Sequence, residues 1–209
     1  VSLQAGLSGK KNYQKISPLI NKKGEKIFSE KINIIDKPHM VKSGNRRYFD
    51  DEGILTSQRN IIKEGVLESF IYDIEYADKL NVKPTGNGLK KELFSADIST
   101  AVSPNLINPV IEPKDKSKNE LLSKIKEGIY VTNVIGFHSS NYEQGHFSVQ
   151  AQGFNVENGQ LVGRLQDVMI AGNIYEDFNN VMGVGSKIYP NMWGYAPYIL
   201  VDEISVTGK

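Results

Sequence analysis

The three histidines are the first side chains to test for chemistry. His39, His138 and His146 do not show the separation of three to five residues at which two ligands of a local zinc motif stand. His138 and His146 flank a segment rich in Ser, Asn and Gly, so a hairpin could bring their rings face to face. The spacing offers no carboxylate that would orient either ring. The pattern therefore favours loop histidines over a metal site or a general base.

A run of three carboxylates is the second candidate. Asp50-Asp51-Glu52 followed by Gly53 could hold a hard cation, but a calcium loop spreads its ligands at alternate positions over about a dozen residues. Asp-Glu-Gly is typical of a turn, which we expect here. Thr85-Gly86-Asn87-Gly88 lacks the lysine of a phosphate loop, and Gly183-Val184-Gly185 is too short for a nucleotide fingerprint.

Nucleophilic chemistry is also poorly supported. The chain contains no cysteine, which excludes a thiol nucleophile, a disulfide scaffold and a metal site built on thiolates. Ser17, Ser139 and Ser140 have no nucleophile-elbow context. The types and spacing of the residues therefore identify no catalytic residue and no metal ligand.

Composition narrows the class of protein. The 209 residues are 39% hydrophobic and 23% charged, as in a soluble globular protein. A formal net charge of +1 gives no electrostatic footprint for nucleic acid. No apolar run approaches the roughly 20 residues of a membrane span, and no secretion signal is present, so we expect a cytoplasmic location. Because the sequence starts at Val1 without a methionine, we expect a fragment of a longer protein.

The elements that must position these residues are mostly short strands. Alternation, β-branched content and turn signals predict extended segments or hairpins at residues 26–35, 60–67, 129–135, 147–161 and 198–206. Lys63-Glu64-Gly65 and Asn158-Gly159 are predicted hairpin turns. Hairpin-length connections favour antiparallel pairing. We predict an α+β fold dominated by β-structure, with a large, mostly antiparallel sheet and about three short helices.

The three predicted helices and one connector complete this pattern. Residues 73–80 should bury Ile74, Ala77 and Leu80. A helix over residues 118–126 should begin after an N-cap at Ser117 and stop at Gly128, and a third covers residues 174–182. Prolines and polar residues predict a connector over residues 97–116. Its stretch 104–114 is either an internal boundary or a long loop within one domain.

The order of several motifs resembles the C-terminal domain of the TldD/PmbA family, whose members are also called modulators of DNA gyrase. The early segments are Asp50-Asp51-Glu52-Gly53, Ile61-Ile62-Lys63-Glu64-Gly65-Val66-Leu67 and Thr85-Gly86-Asn87-Gly88. The later segments are Gly128-Ile129-Tyr130-Val131-Thr132, Gly145-His146-Phe147-Ser148, Gly153-Phe154, Glu157-Asn158-Gly159 and Ile170-Ala171-Gly172-Asn173. The resemblance covers nearly all of residues 1–209. It implies the C-terminal domain of a two-domain protein with paired subunits and a role in cytosolic proteolysis.

The resemblance also implies which branch of the family this is. The TldD branch is a zinc metallopeptidase in which a helical His-Glu-x-x-x-His and a cysteine near the C-terminus provide the ligands. Here residues 185–193 stand where that cysteine motif would lie, without a cysteine, and the helical motif would fall upstream of Ser8. Lys15-Ile16-Ser17-Pro18-Leu19 and Gly24-Glu25-Lys26-Ile27 resemble the PmbA (TldE) branch, whose members lack the zinc ligands. We therefore expect no cofactor in this chain and zinc in an active partner subunit.

Three functions are compatible with these residues and with the resemblance. The first is a non-catalytic subunit of a TldD/TldE-type metallopeptidase complex that processes or degrades unfolded peptides. For it we predict peptide-binding residues at His138, Ser139, Ser140, Asn141 and His146. The second is an autonomous homodimeric metallopeptidase with ligands upstream of residue 1 and His138 or His146 in place of the cysteine. The third is a protein-binding modulator of DNA gyrase, without direct contact to nucleic acid.

Overall fold

The strands form two principal sheets in the computed structural model, which describes residues 2–91, 99–136, 141 and 143–208. The strands are β1 (Ile34–Asp36), β2 (Arg59–Lys63), β3 (Val66–Leu67), β4 (Gly88–Leu89), β5 (Ser103–Pro104), β6 (Pro109–Ile111), β7 (Glu127–Ile135), β8 (His146–Glu157), β9 (Gln160–Arg164), β10 (Val168–Asn173), β11 (Val181–Val184), β12 (Tyr189–Asn191), β13 (Gly194–Ala196), β14 (Ile199–Val201) and β15 (Ser205–Thr207). The helices are α1 (Ser2–Leu7), α2 (Gly9–Tyr13), α3 (Ile74–Lys79), α4 (Lys118–Leu122) and α5 (Ile174–Asp177), and a 3-10 helix covers Phe178–Asn180. The predicted α+β, β-dominated class is confirmed.

The first sheet has six strands in the order β12-β13-β6-β1-β2-β3. Its neighbours pair antiparallel except β13 and β6, which run parallel with Tyr195 opposite Val110. Strands from the beginning, middle and end of the chain therefore meet in this sheet. Strands β11 and β14 form a separate antiparallel pair, as do β4 and β5.

The second sheet is built around β8. Strand β7 pairs with one edge of β8, whereas β10 and β9 share the other edge, and β15 pairs with β10. Along β8 the buried residues Val149 and Ala151 alternate with exposed glutamines, which leaves one face of the sheet polar. Strand β7 lies at the edge of this sheet.

Two hydrophobic clusters form the core. The larger one contains side chains from widely separated parts of the sequence, namely Leu7, Leu19, Ile27, Phe28, Ile32, Ile34, Ile61, Ile62, Leu67, Phe70, Ile71, Leu106, Val181 and Val184. The smaller one lies on the second sheet and contains Val149, Ala151, Val168 and Ile170. No helix in the described ranges has the length and apolar character needed to cross a membrane.

The predicted turns and the N-cap are confirmed. Glu64 and Gly65 have φ of 49° and 78°, and Asn158 and Gly159 have φ of 47° and 80°, as in a tight two-residue hairpin. The helix at residues 73–80 is also confirmed as α3, although Ile74 is 45% exposed rather than buried. Ser117 caps α4 in a capping box, because its side chain accepts from the Glu120 N–H while Glu120 accepts from the Ser117 N–H.

Several predicted bounds were wrong. The extended segment at residues 26–35 is a strand only from Ile34, although Ile27 and Ile32 are buried as expected. Helix α4 ends at Leu122 instead of Lys126, and the third predicted helix ends before Val181, which begins β11. The predicted strand at 198–206 is interrupted at Asp202 between β14 and β15. Tertiary pairing overrode local propensity in each of these places.

The largest difference between the sequence-based prediction and the structure concerns the predicted connector. Residues 97–116 contain β5 and β6, and β6 lies inside the six-stranded sheet between β1 and β13. Pro109 is tolerated at the first position of β6, where a missing N–H costs little. Most of the stretch 104–114 is therefore buried or paired in a sheet, and within this stretch Pro113 and Lys114 are exposed.

Candidate functional site

Two of the five predicted peptide-binding residues, Asn141 and His146, lie in the described part of the chain, at and before the start of β8. His138, Ser139 and Ser140 lie outside the described residues. Asn141 accepts a hydrogen bond from the Gln144 N–H at 3.4 Å. His146 is the first residue of β8, is exposed, and stands opposite Asn173, the last residue of β10.

An amide rather than a carboxylate holds the histidine. Asn173 Nδ2 lies 3.5 Å from His146 Nδ1 and 3.4 Å from its Nε2, and it donates to the Gln144 carbonyl at 3.1 Å. The Asn173 Oδ1 accepts from the Tyr175 N–H at 2.9 Å, which caps α5. The neighbour of the ring, Asn173, is thus held in place by capping α5. Among the described residues, no carboxylate contacts the ring as it would in a general base.

His146 lines one of two adjoining cavities, which we call together the groove. The cavity at the histidine end has a volume of about 690 Å³ and is lined by His146, Phe147, Ala171, Gly172, Asn173, Glu176, Asp177, Asn180, Glu203, Ile204 and Ser205. The cavity at the lysine end has a volume of about 820 Å³ and is lined by Lys124, Ile125, Lys126, Glu127, Gly128, Ile129, Asn155, Val156, Glu157, Met182, Leu200, Val201, Asp202, Glu203, Ile204 and Val206. Glu203 and Ile204 line both cavities.

The histidine end contains a carboxylate in an unfavourable environment. Burial raises the pKa of Asp177, and the nearby negative charge of Glu176 acts in the same direction, whereas the Asn173 N–H opposes both. The Asp177 Oδ2 is buried and has no hydrogen-bond partner among the described residues. A Cβ on Gly172 would collide with this oxygen, and the flexible carboxylate would have to move to make room for it.

The two acidic and glycine-rich motifs form a buried structural network elsewhere. Asp50 accepts from the Gly88 N–H at 2.9 Å and from the N–H groups of Glu52 and Ile54 at 3.0 and 2.8 Å. Asn87 donates to Asp36 Oδ2 at 2.9 Å. Protein N–H groups therefore occupy these oxygens, as expected for a turn and not for a cation site.

Metal-binding geometry is missing from the described ranges. Within them, no group of three or more His, Asp or Glu side chains is placed to hold a metal ion. The segment 185–193 brings no thiolate ligand, because the chain has no cysteine. The donor set of the described residues thus does not fit a catalytic zinc ion.

The acidic side chains of the groove were not found from the sequence. The sequence predicts a helix at Asp177 and a continuous strand at Asp202 and Glu203, and these predictions do not bring the three side chains to one groove. The Asp202-Glu203 pair inside an otherwise apolar run was the available signal, because two adjacent charges are unusual in a buried strand.

Comparison with known proteins gives consistent results. A family model described as the PmbA/TldA metallopeptidase C-terminal domain matches residues 2–208. A metalloprotease PmbA homolog from Buchnera aphidicola subsp. Acyrthosiphon pisum is 30% identical over 207 residues, which are 99% of this chain and 43% of that protein. A zinc metalloprotease TldD homolog from Saccharolobus solfataricus is 31% identical over 160 residues, 76% of this chain and 35% of that protein.

A solved structure agrees in fold. TldE from Thermococcus kodakarensis superposes with a TM-score of 0.89 at 29% identity, and the match covers 99% of this chain and 46% of that one. The chain thus spans less than half the length of the curated relatives it matches.

Proposed function

Because this chain belongs to the PmbA/TldD metallopeptidase family, whose C-terminal domain it matches from residue 2 to residue 208, we propose that it acts as a non-catalytic, TldE-like subunit. In this proposal it pairs with a zinc-bearing TldD-like subunit and helps to hold an unfolded peptide for cleavage. The subunit role, the partner and the peptide substrate are proposals for the whole protein.

The groove beside the second sheet is the observation that carries this proposal. Peptidases hold substrates as extended chains, and an extended chain can add to a free sheet edge through main-chain hydrogen bonds. Strand β7 offers nine residues at such an edge, and no described strand pairs with its outer side. Glu127, Gly128 and Ile129, the first three residues of β7, line the lysine end of the groove. Side chains of a peptide along this edge would therefore have a cavity within reach.

The side chains of the described ranges favour binding over catalysis. A metallopeptidase needs three protein ligands and a base that accepts a proton from the metal-bound water. The histidine of the groove contacts an amide, and the described carboxylates are not grouped for a metal. The catalytic ion is then expected on the partner subunit.

The test is reconstitution of the full-length protein with a homologue that carries His-Glu-x-x-x-His. We expect the two to co-purify, zinc to be present at one ion per pair, and cleavage of an unfolded peptide only by the pair. Stoichiometric zinc and peptide cleavage with the full-length protein alone would overturn the proposal. Loss of that zinc in His146→Ala would then support the autonomous homodimeric enzyme.

A further inference from the structure

We propose that the groove selects extended peptides that combine apolar side chains with lysine or arginine, and that Asp202 and Glu203 recognise the positive charge. This inference rests on the proposed function, since it names the class of peptide bound by that subunit. Asp202, Glu203 and Ile204 form the segment between β14 and β15, defined here as the ridge.

The floor of the groove is apolar and open to a ligand. Val156 is fully buried at its base, while Met182 and Val206 on its sides are 48% and 43% exposed. Leu200 and Ile204 are half-buried between them. A cavity of about 820 Å³ falls in the usual range of ligand sites, about 300–1,000 Å³, and could take one or two aliphatic side chains.

The charge of the groove differs from that of the chain. Acidic side chains outnumber basic ones among the residues that line the groove. The basic residues are Lys124 and Lys126, and the acidic residues are Glu127, Glu157, Glu176, Asp177, Asp202 and Glu203. The whole chain has a formal net charge of +1. The negative charge is therefore gathered on this surface, which attracts a cationic ligand and repels an anionic one.

The carboxylates of the ridge are available to a ligand. Asp202 and Glu203 are exposed, and neither forms an ion pair within the described part of the chain. The backbone beneath them is fixed, because the Asp202 N–H donates to the Asn180 carbonyl at 3.0 Å. The two carboxylates are therefore exposed to solvent on a backbone that a hydrogen bond holds in place.

The position of the ridge suits an extended ligand. Glu203 and Ile204 line both cavities, so a chain that runs from the lysine end to the histidine end must pass them. An apolar side chain can then enter the larger cavity while a neighbouring cationic side chain reaches the carboxylates. Charge complementarity and the apolar floor together specify a cationic, partly apolar peptide as the occupant.

The size of the effect follows from the exposure of these carboxylates. A solvent-exposed ion pair contributes up to about 1 kcal/mol, which is roughly a fivefold change in affinity, and added salt weakens it. Neutralising both side chains should therefore lower the affinity for a cationic peptide by about fivefold to twentyfold.

The experiment measures binding of fluorescein-labelled nine-residue peptides to the full-length protein by fluorescence anisotropy. The three probes alternate leucine with lysine, glutamine or glutamate. The test variant is Asp202→Asn/Glu203→Gln. The matched control, Asp78→Asn/Glu68→Gln, removes the same charge from exposed positions outside the groove. Met182→Gln tests the floor, because it removes apolar surface without changing charge.

The expected order of affinity is lysine over glutamine over glutamate, with the lysine preference reduced in high salt. The test variant should lose most of that preference and the control should keep it, while Met182→Gln should weaken all three peptides alike. Thermal melts of each variant check folding.

Four results would overturn the inference. Equal binding of the lysine and glutamine peptides removes the selectivity but leaves the proposed function intact. Equal loss in the test and control variants moves the cation site elsewhere. Dissociation of the TldD-like partner from Asp202→Asn/Glu203→Gln, with peptide binding unchanged, makes the groove a subunit interface. Failure of all peptides to bind, alone and in the reconstituted pair, would contradict the proposed function as well.

Discussion

At the scale of single residues, Asp36 illustrates how polar groups organise this core. The carboxylate is only 1% exposed, and it accepts hydrogen bonds from Asn87 Nδ2 at 2.9 Å and from the N–H groups of Ile107 and Asn108 at 3.1 and 2.8 Å. Asn87 also donates to the Asn105 carbonyl at 3.0 Å. One side chain at the end of β1 thus fixes the chain before β4 and the chain before β6.

Replacing Asp36 with alanine should destabilise the protein by about 3 kcal/mol, because buried N–H donors would lose their acceptor. Urea unfolding measures the change. The control Asp78→Ala, at an exposed site on α3, should stay within about 0.5 kcal/mol of the parent. Equal stability of the Asp36 and Asp78 variants would show that the network contributes little.

The pKa of Asp177 gives a prediction with a definite sign. A carboxyl whose pKa is raised on folding contributes stability that is present below its ordinary value of 3.8 and is lost as the pH rises through the raised value. Asp177→Asn should therefore be more stable than the parent at pH 7.5, by less than about 1 kcal/mol because the group is partly exposed. The difference should shrink at pH 4.5, as measured by thermal melts.

Glu120→Gln provides a control of opposite sign. Hydrogen bonds from Ser117 lower the pKa of Glu120, so this carboxylate stabilises the fold at pH values above its ordinary 4.5, and the contribution is lost on acidification. The glutamine variant should be less stable than the parent at pH 7.5. A stability difference of the same sign in both variants would contradict the assignment of these shifts.

The sequence predicted one described residue of the groove, His146, and missed the acidic residues that line the groove. A histidine is a candidate base or metal ligand by residue type alone, so the sequence is enough to single it out. Asp177 follows β10, whereas Asp202 and Glu203 follow β14, so these residues are distant in sequence. They line the same groove only because the strands bring these segments together. Such convergence depends on strand pairing, which local periodicity does not encode.

At the scale of elements, hairpins were predicted well and isolated strands were not. The turns at Lys63-Glu64-Gly65 and Asn158-Gly159 carry their own conformational signal, so their position follows from residue type. Strand β6 carries no such signal, because its three residues begin with a proline and become a strand only between β1 and β13. Helix α4 begins at its predicted N-cap, whereas it ends at Leu122, earlier than its apolar pattern predicts.

Gly65 should be the less replaceable of two glycines with positive φ. Its φ is 78°, and an added Cβ would collide with the Phe28 backbone carbonyl. Gly24 has φ of 85° with open space around it. Gly24→Ala should cost about 1 kcal/mol from backbone strain alone, and Gly65→Ala at least about 2 kcal/mol more from the clash. Urea unfolding of both variants measures the difference, and equal losses would exclude a role for the clash.

At the scale of the whole molecule, one hydrophobic cluster joins both ends of the described chain. Leu7 from α1 and Phe28 pack in the same cluster as Val181 and Val184 from β11. Phe28 also stacks against Tyr175, with ring centroids 6.2 Å apart. Leu106 belongs to the same cluster, so the stretch around it should behave as core and not as a boundary between domains.

Limited digestion with chymotrypsin tests that expectation. Leu106 is 3% exposed, whereas Tyr48 and Phe49 are 52% and 55% exposed. Cleavage of the native protein should therefore occur after Tyr48 or Phe49 well before it occurs after Leu106, because a protease needs an accessible, locally unfolded backbone. Mass spectrometry of the first fragments identifies the site. Early cleavage at Leu106 would support a domain boundary there.

The position of β6 between β1 and β13 also affects how the protein is made. On the ribosome, Ile34–Asp36 and Pro109–Ile111 emerge long before Gly194–Ala196, so the six-stranded sheet cannot close until β13 has been translated. The hairpins of β7, β8 and β9 involve near neighbours and can form earlier. Folding that depends on such distant segments is slow and leaves strand edges exposed to other nascent chains, so chaperone protection would matter most in the interval between translation of β6 and translation of β13.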